Sequence, residues 1–301
     1  MSRKVVLLFS GQGAQKVGMG RDVAEQFPKA KSLFDRADQI LGFKLSEVMW
    51  QGPVGELTRT SRCQPALYVH GLALLEVLKE KVPTMEIAAC AGLSLGEFTA
   101  HAAAGTFDFE TGLKLVFQRG SFMEDACAET RGGMAALIGG EEKAVRELAA
   151  EHGVDVANFN APGQIVISGS VDGIKAAVAH AKEKGIRKAV ELAVAGAYHS
   201  RLMQSAQDQL AAVLARLQFA TPRAPVISNF AARAVRDAAD IRETLEKQVT
   251  GSVRWSESMQ VLLDQGFDRF LELGPGGVLA GLMSRIRKGV DVQSVEDAEG
   301  I

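Results

Sequence analysis

Three cysteines, Cys63, Cys90 and Cys127, are all that the 301 residues contain. The number is odd and no two stand as a CxxC pair. That excludes a disulfide framework or a zinc ribbon and fits a reducing compartment. A basic excess is also missing: 34 Lys and Arg stand against 36 Asp and Glu, a net charge of −2. Nucleic-acid binding normally shows as such an excess, so no nucleic-acid partner is expected. Long apolar runs are absent too, and none approaches the roughly 18 residues of a membrane span. The opening MSRKVVLLFSGQG joins a basic start to a short apolar stretch, but Val5–Phe9 is too short for a signal-peptide core. It reads as a buried first strand in a cytoplasmic protein. Hydrophobic residues make up 47% and charged residues 23%, which excludes a disordered or collagen-like chain.

What is present alternates between strand and helix periodicity. Lys4–Phe9 reads as a strand and Gly11–Gln15 as the loop after it. Helical patterns cover Ala24–Leu41 and Gln64–Lys81, the latter capped by Ser61 with Pro65 in its first turn. Ile87–Leu93 is an apolar run suited to a buried parallel strand, followed by a small-residue helix over Leu95–Ala104. Asp108 is placed to cap a helix over Glu110–Glu124. Between Gly132 and Val194 the order becomes strand-helix-strand-strand-helix-strand, the ferredoxin-like arrangement. The expected organisation is therefore α/β, with residues 1–128 and 198–301 forming a core and 129–197 an inserted small subdomain.

Gly92-Leu93-Ser94-Leu95-Gly96 fits G-x-S-x-G, with an apolar strand before it and a helix after it. Ser94 would stand at a helix N-terminus, where free N–H groups and the dipole favour developing negative charge. The N–H of Leu95, next after the serine, would be an oxyanion donor. The plainer alternative is a Gly-Ser turn that only starts a helix. A serine nucleophile needs a base. His152 and His180 lie in polar stretches and read as surface residues, while His70 and His101 lie inside helical patterns and read as packing residues. His199, in Gly196-Ala197-Tyr198-His199-Ser200, stands where a loop meets a helix. Gly11-Gln12-Gly13 could supply a second oxyanion N–H or be an ordinary turn; it does not match a dinucleotide or P-loop motif. Arg119 is either a surface cation near a helix end or a carboxylate clamp.

Taken together, the segments FSGQGAQ, CQPAL, GLSLGEF, QRGSFM, NFNAPGQIVISG, GAYHSRLM and ELGPGGVL resemble, in order, those of malonyl-CoA:acyl carrier protein transacylases, over about residues 5–287. Discrete and modular polyketide acyltransferases share them. The resemblance implies an α/β-hydrolase-like core with a ferredoxin-like subdomain. It implies Ser94 as nucleophile, His199 as base and Arg119 as partner of the malonyl carboxylate. Gln12 and Leu95 become the oxyanion donors, Asn160 an active-site asparagine, and Gln248 the residue whose backbone carbonyl orients the histidine. It further implies malonyl-CoA as substrate, acyl carrier protein as partner, no cofactor or metal, and a monomer. One position departs from the pattern: Leu93 stands where the family usually has histidine, which bears on acyl preference. Tyr198 matches members that take malonyl units. Arg187 and Lys188 match a basic pair suited to an acidic carrier. A trans-acting polyketide acyltransferase, a serine acyl hydrolase on carrier-bound or CoA thioesters and a non-catalytic carrier-binding protein are the rival readings, and the carboxylate clamp discriminates against the hydrolase.

Overall fold

The computed structural model describes residues 4–301; the first three residues of the segment 1–128 lie outside the described residues. Helices α1 (Arg21–Gln26), α2 (Pro28–Leu41), α3 (Leu45–Gln51), α4 (Val54–Thr58), α5 (Thr60–Lys81), α6 (Leu95–Ala104) and α7 (Phe109–Glu129) dominate the first part. Strands β1 (Lys4–Phe9) and β2 (Glu86–Gly92) run among them. The middle holds β3 (Gly132–Ile138), α8 (Glu142–Glu151), β4 (Asp155–Ala161), β5 (Gln164–Ser170), α9 (Val171–His180) and β6 (Lys188–Glu191). The last part holds α10 (Gln204–Leu214), β7 (Val226–Ile227), β8 (Ala234–Val235), α11 (Ala238–Lys247), α12 (Trp255–Asp264), β9 (Arg269–Leu273), α13 (Val278–Ile286) and β10 (Asp291–Val295).

The strands form two sheets. The first runs β10-β9-β1-β2-β7-β8, parallel except for the antiparallel edge pair β7–β8. Val6, Leu7 and Leu8 of β1 are fully buried, as a strand covered by helices on both faces requires. The second sheet runs β4-β5-β3-β6 and is antiparallel throughout. Relative to its own start this is the ferredoxin-like order expected from the sequence. Its side chains alternate: Met134 and Val166 join the main core, while Ala135, Leu137, Ile165 and Ile167 pack under α8 and α9. Its edge strand β4 is tied to the other unit. Phe159 N–H donates to the Val253 carbonyl at 2.9 Å and Val253 N–H to the Ala157 carbonyl at 2.8 Å. Arg201 pairs with Asp155 at 2.6 Å.

Several expected boundaries move. The pattern over Ala24–Leu41 is two helices, because Phe27 is extended (φ −123°, ψ 109°) ahead of Pro28. A residue preceding proline is pushed out of the helical region, and Pro28 then starts α2 cleanly. Helix α5 begins at Thr60, so Ser61 is inside it and Pro65 lies beyond the first turn. The missing proline N–H is tolerated in a helix that packing buries almost all round. Asp108 caps α7, accepting from Thr111 N–H at 2.8 Å. That helix continues to Glu129 rather than Glu124, which places Arg119 mid-helix. Helices α5 and α7 cross closely at Gly120, where a Cβ would press on the Thr60 carbonyl.

Candidate active site

Strand β2 ends at Gly92 and α6 begins at Leu95, so Ser94 occupies the turn between them. Its backbone is strained, at φ 53° and ψ −107°. A non-glycine residue held there costs about 1–3 kcal/mol and marks a site that the surrounding structure over-determines. The flanking glycines explain how. A Cβ on Gly92 would overlap the Gly96 backbone, and a Cβ on Gly96 would overlap the Phe9 carbonyl. Ser94 does not cap α6 with its side chain; its Oγ is turned out toward His199. The plainer turn-only alternative for the motif does not describe this geometry.

Ser94 Oγ lies 2.8 Å from His199 Nε2, and His199 Nδ1 lies 2.8 Å from the Gln248 carbonyl. A carbonyl only accepts, so Nδ1 carries the proton and Nε2 presents a lone pair to the serine hydroxyl. His199 is 4% exposed. Burial first, and the nearby Arg119 charge second, lower its pKa to about 4. It is therefore neutral at physiological pH, the form a general base requires. Its own backbone has a positive φ of 56°.

Arg119 is 1% exposed, contrary to the surface-cation alternative. Its Nη1 donates to Gln64 Oε1 at 2.6 Å. Its Nη2 donates to Ser94 Oγ at 3.0 Å and to Gln248 Oε1 at 3.0 Å. The guanidinium also lies over the Phe98 ring, 5.1 Å from the centroid. Burial lowers its pKa to about 10 while Glu97 supports the charge, so it stays cationic at neutral pH. No carboxylate within the described residues forms a salt bridge with it, and its Nε is buried without a hydrogen-bond partner.

Beneath these groups sit residues the sequence reading missed. Asn229 Oδ1 accepts from Ser94 N–H at 2.7 Å, and its Nδ2 donates to the Gly92 carbonyl at 2.8 Å. It staples the turn from a loop after β7. Glu97 is fully buried; its Oε2 accepts from Asn229 N–H at 2.9 Å and Gln248 Nε2 at 2.6 Å. Burial raises its pKa to about 7 despite those donors and Arg119. Glu97 lay in GLSLGEF without a role, and its spacing Ser94-x-x-Glu97 is that of a helix capping box. Asn229 had none. Gln64 lay in CQPAL without a role.

The other expected residues fall as follows. Leu95, 1% exposed, is the first residue of α6, where the ladder leaves its N–H without an intrahelical acceptor. Gln12 is in the loop after β1, its side chain accepting from Thr60 Oγ1 at 2.8 Å. Asn160 is on β4, its amide oxygen buried without a partner, and it makes no hydrogen bond to Ser94, His199 or Arg119. Leu93 packs against the second apolar cluster of the core. Tyr198 is buried, its hydroxyl beside Cys127 and Gln12 without a full hydrogen bond. His70 and His101 are fully buried packing residues. His152 is half-buried and stacks on His180 with 5.0 Å between ring centroids, so it is not the plain surface residue expected. Arg187 and Lys188 are exposed, at the start of the edge strand β6. Among the described residues no group of three or more His, Cys, Asp or Glu could hold a metal ion. Among them, no helix is long and apolar enough to cross a membrane.

A strained serine on a strand-to-helix turn, a neutral histidine oriented by a carbonyl and a buried cation beside both define a serine enzyme of acyl-transfer chemistry. Residues 6–300 match the family model of the acyl transferase domain. The malonyl CoA-acyl carrier protein transacylase of Bacillus subtilis strain 168 is 41% identical over 303 residues, 99% of this chain and 95% of the relative. The polyketide biosynthesis malonyl CoA-acyl carrier protein transacylase PksC of the same organism is 40% identical, covering 94% of this chain and 97% of the relative. The crystal structure of an acyl carrier protein S-malonyltransferase from Vibrio cholerae superposes with a TM-score of 0.95 at 38% identity, covering 99% of this chain and 98% of the other. A malonyl-transacylase in complex with its type II polyketide acyl-carrier protein superposes at 0.94, with 37% identity over 99% and 97% of the two chains. The chain belongs to the acyl transferase family, together with the malonyl CoA-acyl carrier protein transacylases.

Proposed function

We infer that the chain transfers a malonyl group from malonyl-CoA to the phosphopantetheine thiol of an acyl carrier protein through a malonyl-serine intermediate. The observation that carries this is Arg119, a buried cation with no carboxylate bonded to it, 3.0 Å from the attacking oxygen. A buried charge that nearby Glu97 offsets only in part is costly. An acyl group ending in a carboxylate compensates it, and one without leaves it unpaired, which is the basis of diacid selection.

In the first half-reaction His199 Nε2 takes the Ser94 proton as Oγ attacks the thioester carbonyl. The oxyanion is received by the backbone N–H groups of Leu95 and Gln12, each such donor contributing about 3 kcal/mol. The tetrahedral intermediate collapses, His199 gives its proton to the departing CoA thiolate, and a malonyl ester remains on Ser94. In the second, the carrier thiol gives its proton to His199 and attacks that ester, and Ser94 is regenerated. Two half-reactions through one serine give ping-pong kinetics. Every proton in this scheme is handled by His199, and no cofactor enters it.

The test is intact mass after brief mixing with malonyl-CoA. Wild type gains one malonyl group, Ser94→Ala gains none, and added carrier protein removes the group from wild type. Arg119→Ala loads malonyl about a hundredfold more slowly and loses its preference over acetyl-CoA. Release of free malonate with no transfer to carrier would replace this reading with a hydrolase.

A further inference from the structure

A continuous line of hydrogen bonds joins the carboxylate-binding arginine to the loop after β1. Arg119 Nη1 donates to Gln64 Oε1 at 2.6 Å. Gln64 Nε2 donates to Thr60 Oγ1 at 2.8 Å, and Thr60 Oγ1 donates to Gln12 Oε1 at 2.8 Å. Arg119, Gln64 and Thr60 are all buried.

The directions from Arg119 to Thr60 are forced. A guanidinium has only donors, so Gln64 must turn its oxygen to Arg119 and its NH2 to Thr60. The Thr60 hydroxyl then accepts from Gln64, and its own proton is directed at Gln12 Oε1. The second contact of Gln64 Nε2, Met123 Sδ at 3.5 Å, is a weak acceptor and does not compete. Gln12 sits between Gly11 and Gly13, where the backbone has little stiffness of its own and Gly13 adopts φ 105°. The side-chain bond to Thr60 ties Gln12 to α5, beside the loop's own bonds from Gly13 N–H to Gln15 Oε1 at 2.7 Å and from Ala14 N–H to the Gly11 carbonyl at 3.3 Å.

We propose that Thr60 and Gln64 are positioning residues that couple Arg119 to the Gly11–Gly13 loop, so that the carboxylate clamp and the oxyanion donor are set together. The coupling rests on the malonyl-transfer reading of the site. It explains how one acyl group is checked at its far end and activated at its near end: the charge that recognises the carboxylate also orients the loop that receives the oxyanion. Buried polar chains of this kind are rigid only when every member is satisfied, so loss of a single hydroxyl loosens the loop while Arg119 keeps its bonds to Gln64 and Gln248.

Thr60→Val keeps the side-chain shape and removes the hydroxyl, and Thr60→Ser does the reverse. The readout is the rate of malonyl loading onto Ser94 by rapid-quench intact mass, across malonyl-CoA concentrations. T60V should lower the maximal loading rate by about tenfold, a partial loss of one oxyanion donor, with its half-saturating concentration within about twofold of wild type. T60S should load within about threefold of wild type. In an Arg119→Ala background the T60V penalty should shrink to below about threefold, because Gln64 is no longer held. If T60V does not fold, Thr60→Ala reads the same loss without the extra methyl group. T60V loading at the wild-type rate, T60S worse than T60V, or an equal penalty in both backgrounds would each overturn the coupling alone. A wild type that takes no malonyl group would overturn the function and the coupling together.

Discussion

The sheet of residues 132–191 encloses Ala135, Leu137, Val145, Leu148, Ile165, Ile167 and Ile174, an interior without a charge. Among the described residues of that span only Asn158 and Ser168 are buried and polar. The carboxyl ends of β1 and β2 are built differently. Arg119, Glu97, His199, Gln248, Asn229 and Gln64 are all buried there within one hydrogen-bonded cluster. Apolar burial stabilises by about 25 cal/mol per Å², whereas each buried charge or amide is costly unless fully partnered. One unit is thus ordinary packing, and the other holds strained, desolvated groups that only the surrounding fold keeps in place. The two meet where β4 pairs with the segment carrying Val253, five residues beyond the Gln248 carbonyl that orients His199. The small sheet serves the site by holding that segment, and its own apolar cluster holds no charged side chain.

The contrast can be broken at glycines first. Gly96→Ala would drive a methyl group into the Phe9 carbonyl and should cost about 4 kcal/mol or more, read as loss of folded protein or a collapsed melting temperature. Gly133→Ala in the small sheet meets nothing nearer than Val171 Cγ2 at 3.9 Å and should shift stability by less than about 0.5 kcal/mol. Equal effects would remove the distinction. Next in size, Leu137→Ala opens a cavity in the apolar unit and should cost about 2–5 kcal/mol in denaturant titration. The loading rate per folded molecule should stay unchanged; a parallel fall in loading would mean the small core tunes the site directly.

Acid should act on the other unit. The folded pKa of His199 lies near 4, below the ordinary 6.5, as does that of His70, with His101 near 3. Groups held neutral in this way contribute stability above pH 6.5 that is lost as pH falls toward 4. Calorimetry should show a falling melting temperature from pH 7 to 5, while kcat/KM for malonyl-CoA keeps its acid limb near 4. A half-loss of kcat/KM already at pH 6.5 would contradict the buried base. The smallest effect belongs to the exposed face of the small unit. Arg187→Glu with Lys188→Glu should raise KM for the carrier several-fold at low salt and leave it unchanged at high salt, with no change in melting temperature. A KM insensitive to both changes would remove these residues from carrier docking.

Much of the fold was legible. The apolar runs of β1 and β2, the cap at Asp108 and the ferredoxin-like order all rest on local periodicity and turn chemistry. Helices α3 and α4 were missed because they are seven and five residues long and neither has a side-chain cap. Strand β10 was missed because Asp291–Val295 alternates too weakly to stand out; its partner β9 makes it a strand. The length of α7 was understated, and with it the burial of Arg119.

By itself, the sequence determined the local geometry of the turn at Ser94: glycines at 92 and 96 are what a strained serine between strand and helix needs, and that requirement is written in neighbouring residues. The family-wide resemblance added which histidine and which arginine to pair with it. Only the tertiary structure decided that Ser94 and His199, 105 residues apart, stand 2.8 Å from each other. The resemblance pointed to the Gln248 carbonyl, but the tertiary structure brings it to 2.8 Å from His199 Nδ1 and so sets the tautomer; the residues around 248 could not show this, because every residue type carries a carbonyl. The fold alone placed Glu97, Asn229 and Gln64 beneath the site, because polar side chains buried by long-range contacts leave no periodic trace along the chain.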